Sequence, residues 1–194
     1  MTSLESDLVN RPRRQPTISL PLGLRLRPWT QADAPGLVLA LRDPLVRHYA
    51  GFVVDDRSQA LARIQRSASA WVDEVGAHWV IAGASGEVLG SVGYGMIPSG
   101  VESGSVGYWL LPEVRGNGVV TAAVRAGTIA VFGHLGWRRI ELYHAVENER
   151  SCGVARRCGF RFEGVMRDAM RYPDDGRWSD EHLHARLITD PDPL

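Results

Sequence analysis

The sequence predicts an α/β (α+β) fold: a mixed, mostly antiparallel central sheet of about seven strands flanked by about four helices. Three observations carry this prediction. Stretches of strand-like alternation interleave with stretches at helical spacing, in the order strand, two helices, three strands, helix, strand, helix, two strands. Of the three consecutive strands the first two are joined by a short turn and the third is bounded by Gly104 and Pro112, which reads as an antiparallel meander. Finally, 194 residues with 44% hydrophobic and 23% charged content suffice for one core, and no apolar run approaches the roughly 18 to 20 residues of a membrane span.

Residues 1–20 read as a flexible N-terminal arm, because Pro12, Pro16 and Pro21 interrupt it and no apolar period develops. Residues 21–190 read as a single domain. Its first strand is the alternation Leu24, Arg25, Leu26, Arg27, closed by Pro28. Thr30 with Asp33 three residues on is an N-cap with an acidic third position, opening a helix to about Arg42. Ala60, Leu61, Ile64, Ala68 and Trp71 recur at spacings of three and four, giving a helix over about 57–74. Strands follow at 79–82, 88–96 and 105–111, the first two joined by Ala84-Ser85-Gly86. Then come a helix over 118–132, a strand over 139–146, a helix over 149–158 and strands at 160–171 and 177–187.

Composition removes several kinds of chemistry. All 22 basic residues are arginine, so there is no lysine for a Schiff base or a P-loop. With 22 acidic residues the net charge is zero, and no global field favours nucleic acid or an anionic membrane. Cys152 and Cys158 are six apart on one expected helix, cannot bridge each other, and fit a reducing compartment. Arg11, Arg13 and Arg14 sit among prolines with no apolar signal-peptide core, so a cytoplasmic protein is expected.

The most informative segment is Trp109 to Val120, a strand that turns through Arg115-Gly116-Asn117-Gly118 directly into a helix at Val119. Glycines permit close backbone approach, and the helix start supplies unpaired amides and partial positive charge. Such a turn suits phosphate oxygens; it also occurs as a plain strand-to-helix connection. It is neither a Walker loop nor a three-glycine dinucleotide fingerprint.

At these residues the chain resembles the GCN5-related N-acetyltransferases (GNAT), whose acyl-CoA loop has Arg or Gln, two residues, Gly, one residue, then Gly or Ala. Arg115, Gly118 and Val120 stand at those places, Val120 being larger than usual. Arg27-Pro28-Trp29-Thr30, Gly107-Tyr108-Trp109-Leu110, Asn148 with Ser151, and Gly159-Phe160 through Glu163-Gly164 are similar to the RimJ/RimL branch, the ribosomal-protein N-terminal acetyltransferase type.

The resemblance implies a GNAT fold and transfer of an acetyl group from the cosubstrate acetyl-CoA to a primary amine, of a protein or peptide N-terminus or of a small molecule. No metal, nucleic acid or membrane partner is expected, and related enzymes are often homodimers. It further implies that backbone groups of Leu110 and Leu111 bond the pantetheine. Amides of Arg115, Gly116, Asn117, Gly118, Val119 and Val120 would cradle the pyrophosphate, with Asn148 beside the acyl-CoA arm. Ser151 would protonate the departing thiolate. As structure alone, Asn148 is equally a helix N-cap, Ser151 a helix-start serine and Arg115 a solvated loop arginine.

For the general base, relatives often carry Glu where Ser105 stands. Glu102 and His144 are the candidates, and Glu141, Tyr143 and Glu147 are weaker ones. A solvated loop glutamate and a packed core histidine are the bland alternatives for the first two. Cys152 reads as a small packed residue rather than an acyl carrier. Two other readings stand: a non-catalytic acyl-CoA-binding module, or a transferase using another donor such as succinyl-CoA.

Overall fold

In the computed structural model, which describes residues 14–97 and 102–193, eight strands form one sheet. They are β1 (Ile18–Ser19), β2 (Arg25–Pro28), β3 (Gly76–Ala82), β4 (Val88–Met96), β5 (Ser103–Leu110), β6 (Arg139–Ala145), β7 (Arg161–Arg171) and β8 (Trp178–Leu187). Their spatial order is β1-β2-β3-β4-β5-β6-β8-β7, and every neighbouring pair except β5–β6 is antiparallel. The α-helices among the described residues are α1 (Ala34–Ala40), α2 (Pro44–Tyr49), α3 (Arg57–Val72), α4 (Val119–Leu135) and α5 (Glu149–Arg157). None of them is long and apolar enough to cross a membrane.

Two elements exceed the sequence prediction. Strand β1 pairs Ile18 with Leu26, while Gln15 donates to the His78 carbonyl and the Trp79 indole donates to that of Pro16. Order therefore begins before Leu24, and residues 1–13 of the expected arm lie outside the described residues. A two-residue strand is too short to show alternation, so the prolines are the stronger sequence signal there. Helix α2 is six residues long, too short for an apolar period; its start is fixed by Pro44 and by the Asp43 carboxylate, which accepts from the Val46 amide at 2.9 Å.

The helix expected to run to Arg42 instead begins as a 3-10 turn over Gln31–Asp33 and ends at Ala40. Its expected cap is present: Asp33 Oδ2 accepts from the Thr30 amide at 2.8 Å. Arg27 also forks onto Asp33 at 2.8 and 2.7 Å. Burial pushes the Asp33 carboxyl up, but these bonds outweigh it and hold the group below the usual carboxylate range.

The sheet has a core on each face. Helices α4 and α5 cover Trp79, Tyr94, Val106, Ile140 and Leu142, while α1 to α3 pack Leu37, Leu41 and Ile64 against Trp109. Alternation along β5 thus sends Trp109 to one layer and Tyr108 and Leu110 to the other.

One feature of the pairing makes room for a site. Strands β5 and β6 are parallel and pair only at Ser103↔Arg139, Gly104↔Ile140 and Ser105↔Glu141. Beyond that point β5 follows β4 out to Leu110, and β6 follows β8 out to Ala145. The sheet splits, and the inner edge of β5 is left without a strand partner.

Candidate active site

A cavity of about 980 Å³ opens in the split, between α2, the end of β5, the glycine turn, and the first turns of α4 and α5. Backbone parity decides what β5 offers it. The Leu111 amide donates to the Leu89 carbonyl, on the β4 side, and the Glu102 carbonyl accepts from the Arg138 amide, on the β6 side. Even-numbered positions therefore face the gap. That turns the N–H and C=O of Tyr108 and of Leu110 inward; the Leu111 amide, expected to bond a ligand, is committed to β4.

Arg115 is also committed, in its side chain and its amide, which corrects the readings of it as a solvated loop arginine and as the first amide of the cradle. Its guanidinium donates to the Leu110 carbonyl at 3.0 and 2.8 Å and to Asp43 Oδ1 at 2.7 Å, and its amide donates to the Pro112 carbonyl at 3.2 Å. Burial raises the Asp43 carboxyl, yet the Arg115 bond keeps it below its ordinary value. Arg115 thus ties the end of β5 to the cap of α2, and the amide cradle begins one residue later.

Gly116 and Gly118 hold φ of 83° and 73°, and a Cβ on either would meet nothing within 4 Å. They are needed for left-handed backbone rather than for space. With Gly118 as the N-cap of α4, the amides of Gly116, Asn117 and Gly118 find no acceptor among the described residues, and Val119 and Val120 add first-turn amides. Val120 is half-buried against the core and lines the cavity.

Ser151 sits on the first turn of α5. Its amide donates to Asn148 Oδ1 at 3.2 Å, so Asn148 is the helix cap, and its Oγ accepts from the Tyr108 hydroxyl at 3.0 Å. Burial pushes the Tyr108 phenol well above its ordinary value, so it stays a donor. Asn148, Ser151 and Tyr108 all line the cavity. Tyr108 went unassigned in the sequence; its alternation with Val106 and Leu110 was the signal.

The two leading base candidates lie elsewhere. Glu102 stands at the paired end of β5, six extended residues or about 20 Å from Tyr108. His144 is buried under α5, with Nδ1 donating to the Ala145 carbonyl at 2.9 Å and Nε2 facing His184 at 3.2 Å. Burial holds its pKa below the usual value. Glu141 is bound by Arg139 and by the Tyr143 hydroxyl and, like Tyr143, does not line the cavity.

Glu147 does line it. Its carboxylate accepts from the Tyr172 hydroxyl and from Ser179 Oγ at 3.2 Å, and the Tyr172 bond holds its pKa below the ordinary range. Tyr172 is buried and stacks on His48 of α2 at 3.9 Å, and His48 meets Asp174 at 2.8 Å. This chain of contacts ties the turn between β7 and β8 to α2 across the mouth of the cavity.

The family model described as "Acetyltransferase (GNAT) domain" matches residues 23–161. Among solved structures, a ribosomal-protein-S5-alanine acetyltransferase from Vibrio fischeri is similar at 19% identity and TM-score 0.82, covering 92% of this chain and 100% of its own. RimJ of Mycobacterium smegmatis, in complex with CoA-disulfide, is similar at 24% identity and TM-score 0.78, with 89% and 86% covered. RimL, a ribosomal L7/L12 α-N-protein acetyltransferase in complex with coenzyme A, gives 23% identity and TM-score 0.78, with 89% and 98% covered. A search of curated proteins by sequence found no match.

Proposed function

The chain belongs to the GNAT acetyltransferase family, and from that premise we propose that it moves an acetyl group from acetyl-CoA directly to the primary amine of a protein or peptide N-terminus. The observation that carries this is the split between β5 and β6, whose unpaired strand edge leads from the Gly116–Gly118 amides to the Tyr108–Ser151 pair. An extended pantetheine fits along that edge, bonded by the Leu110 amide and the backbone of Tyr108. The pyrophosphate would lie on the amides of 116–120.

In this reading the acceptor ammonium gives up a proton to water at the mouth, and a β5 amide facing the gap polarises the thioester carbonyl as the free amine attacks. The remaining proton on the attacking nitrogen leaves to solvent as the amide forms. Ser151 then protonates the leaving thiolate and is resupplied by the Tyr108 hydroxyl. Glu147, kept ionised by Tyr172, attracts the acceptor ammonium to the mouth. Cys152 does not line the cavity, which supports transfer within one ternary complex. The protein acceptor and a cytoplasmic setting are supported by relatives named as acetylating ribosomal proteins.

Thiol release with acetyl-CoA and with succinyl-CoA, against N-terminal peptides, polyamines and aminoglycosides, tests the proposal. Release with acetyl-CoA and peptides is expected. Tight CoA binding without release for any amine would establish the non-catalytic module, and preference for succinyl-CoA the other donor.

A further inference from the structure

The face of β6 and β8 covered by α5 holds a cluster that the transfer chemistry does not use. His144 pairs directly with His182 across the two strands, His184 lies two residues along on the same face, and Cys152 descends from the first turn of α5. One donor atom from each of the four lies within 4.8 Å of all the others. Because the Ala145 carbonyl can only accept, His144 Nδ1 carries the hydrogen and Nε2 a lone pair, which stands 3.2 Å from His184 Nε2. Nδ1 of His182 is buried without a hydrogen-bond partner among the described residues, and Cys152 is a free, half-buried thiol. Left as bare polar packing, such a group is costly.

We infer that His144, Cys152, His182 and His184 form a binding site for one zinc ion. Three imidazoles and one thiolate are a donor set for a tetrahedral borderline-soft metal, and the absence of carboxylates from the set disfavours calcium, magnesium and manganese. Zinc–nitrogen bonds of about 2.0 Å and a zinc–sulfur bond of about 2.3 Å require donor separations of roughly 3.3 to 3.6 Å. The His144–His184 pair already stands near that value, and small side-chain rotations bring in the other two. The bond from His144 Nδ1 to the Ala145 carbonyl is the outer contact that fixes a ligand histidine's ring. On binding, the Cys152 thiol releases its proton to solvent and bonds the metal as thiolate. With all four positions filled by protein, the ion is structural: it pins the turn of α5 that carries Ser151 to β6 and β8.

The test uses untagged protein stripped with chelator, titrated with zinc and, as a spectroscopic probe, with cobalt(II). One equivalent of zinc is expected to be retained and to raise the melting temperature. Cobalt should give intense tetrahedral visible bands with a thiolate charge-transfer band. The near-isosteric Cys152→Ser should remove that band and weaken zinc about tenfold or more, with His182→Gln weakening it likewise. Absence of stoichiometric zinc, a cobalt spectrum lacking the thiolate band, stoichiometric uptake of copper but not zinc, or unchanged affinity in Cys152→Ser would overturn the assignment. If His182→Gln fails to fold, Cys152→Ser decides.

Discussion

Among the described residues the hydroxyl of Ser151 has one donor aimed at it, Tyr108, and the amide below it is held by Asn148. A general acid fixed this way acts on the leaving thiolate, so its loss should appear in kcat rather than KM. Ser151→Ala is expected to lower kcat roughly 100-fold with little change in KM for acetyl-CoA, measured by thiol release; unchanged turnover would exclude the role. Tyr108→Phe should reproduce part of that loss. Glu147 predicts the opposite pattern: because Tyr172 keeps it charged, Glu147→Gln should raise KM for the amine several-fold and leave KM for acetyl-CoA alone. Asn148 and Ser151 were legible in the sequence because both belong to a local motif at a helix start. For Glu102 and His144 the structure favours the plainer alternatives, a loop glutamate at the paired end of β5 and a packed histidine, because residue type alone does not say which end of the gap a side chain occupies.

Among the elements, the turn into α4 and the short helix α2 form a unit through Arg115. Its guanidinium bonds both the Leu110 carbonyl and the Asp43 carboxylate, a geometry that a lysine ammonium does not match. Arg115→Lys should therefore destabilise the protein by about 1–3 kcal/mol in denaturant melts and raise KM for acetyl-CoA. Gly118 caps α4 in the left-handed region, so Gly118→Ala is expected to cost about 1–2 kcal/mol and to raise KM for acetyl-CoA more than it lowers kcat. The glycine turn was visible in the sequence, since positive φ and helix starts leave local signatures. The pairing of Arg115 with Asp43 was not, because 72 residues separate the partners.

Across the whole molecule, histidines withdrawn from solvent are expected to make stability sensitive to acid. His78 on β3 is packed against Gly93 of β4, and burial, reinforced by Arg63, lowers its pKa to about 4. Above pH 6.5 both folded and unfolded chains hold it neutral. As pH falls below 6.5 the unfolded chain takes up the proton first, so stability drops until about pH 4, where the folded chain is protonated too. Burial shifts His144 and His184 in the same direction. Melting temperature measured in chelator should fall between pH 6.5 and 4, and His78→Gln should flatten part of that fall. The sequence by itself determined the order of elements, the antiparallel meander, the glycine turn into α4 and the α5 cap, because each rests on periodicity or on contacts a few residues apart. Only the tertiary structure decided that β5 and β6 part after Ser105, that Arg115 is spent on α2, and that His144, Cys152, His182 and His184 converge. Those depend on which strands become neighbours, and neighbourhood in a sheet is settled by burial across the whole core rather than by any one segment.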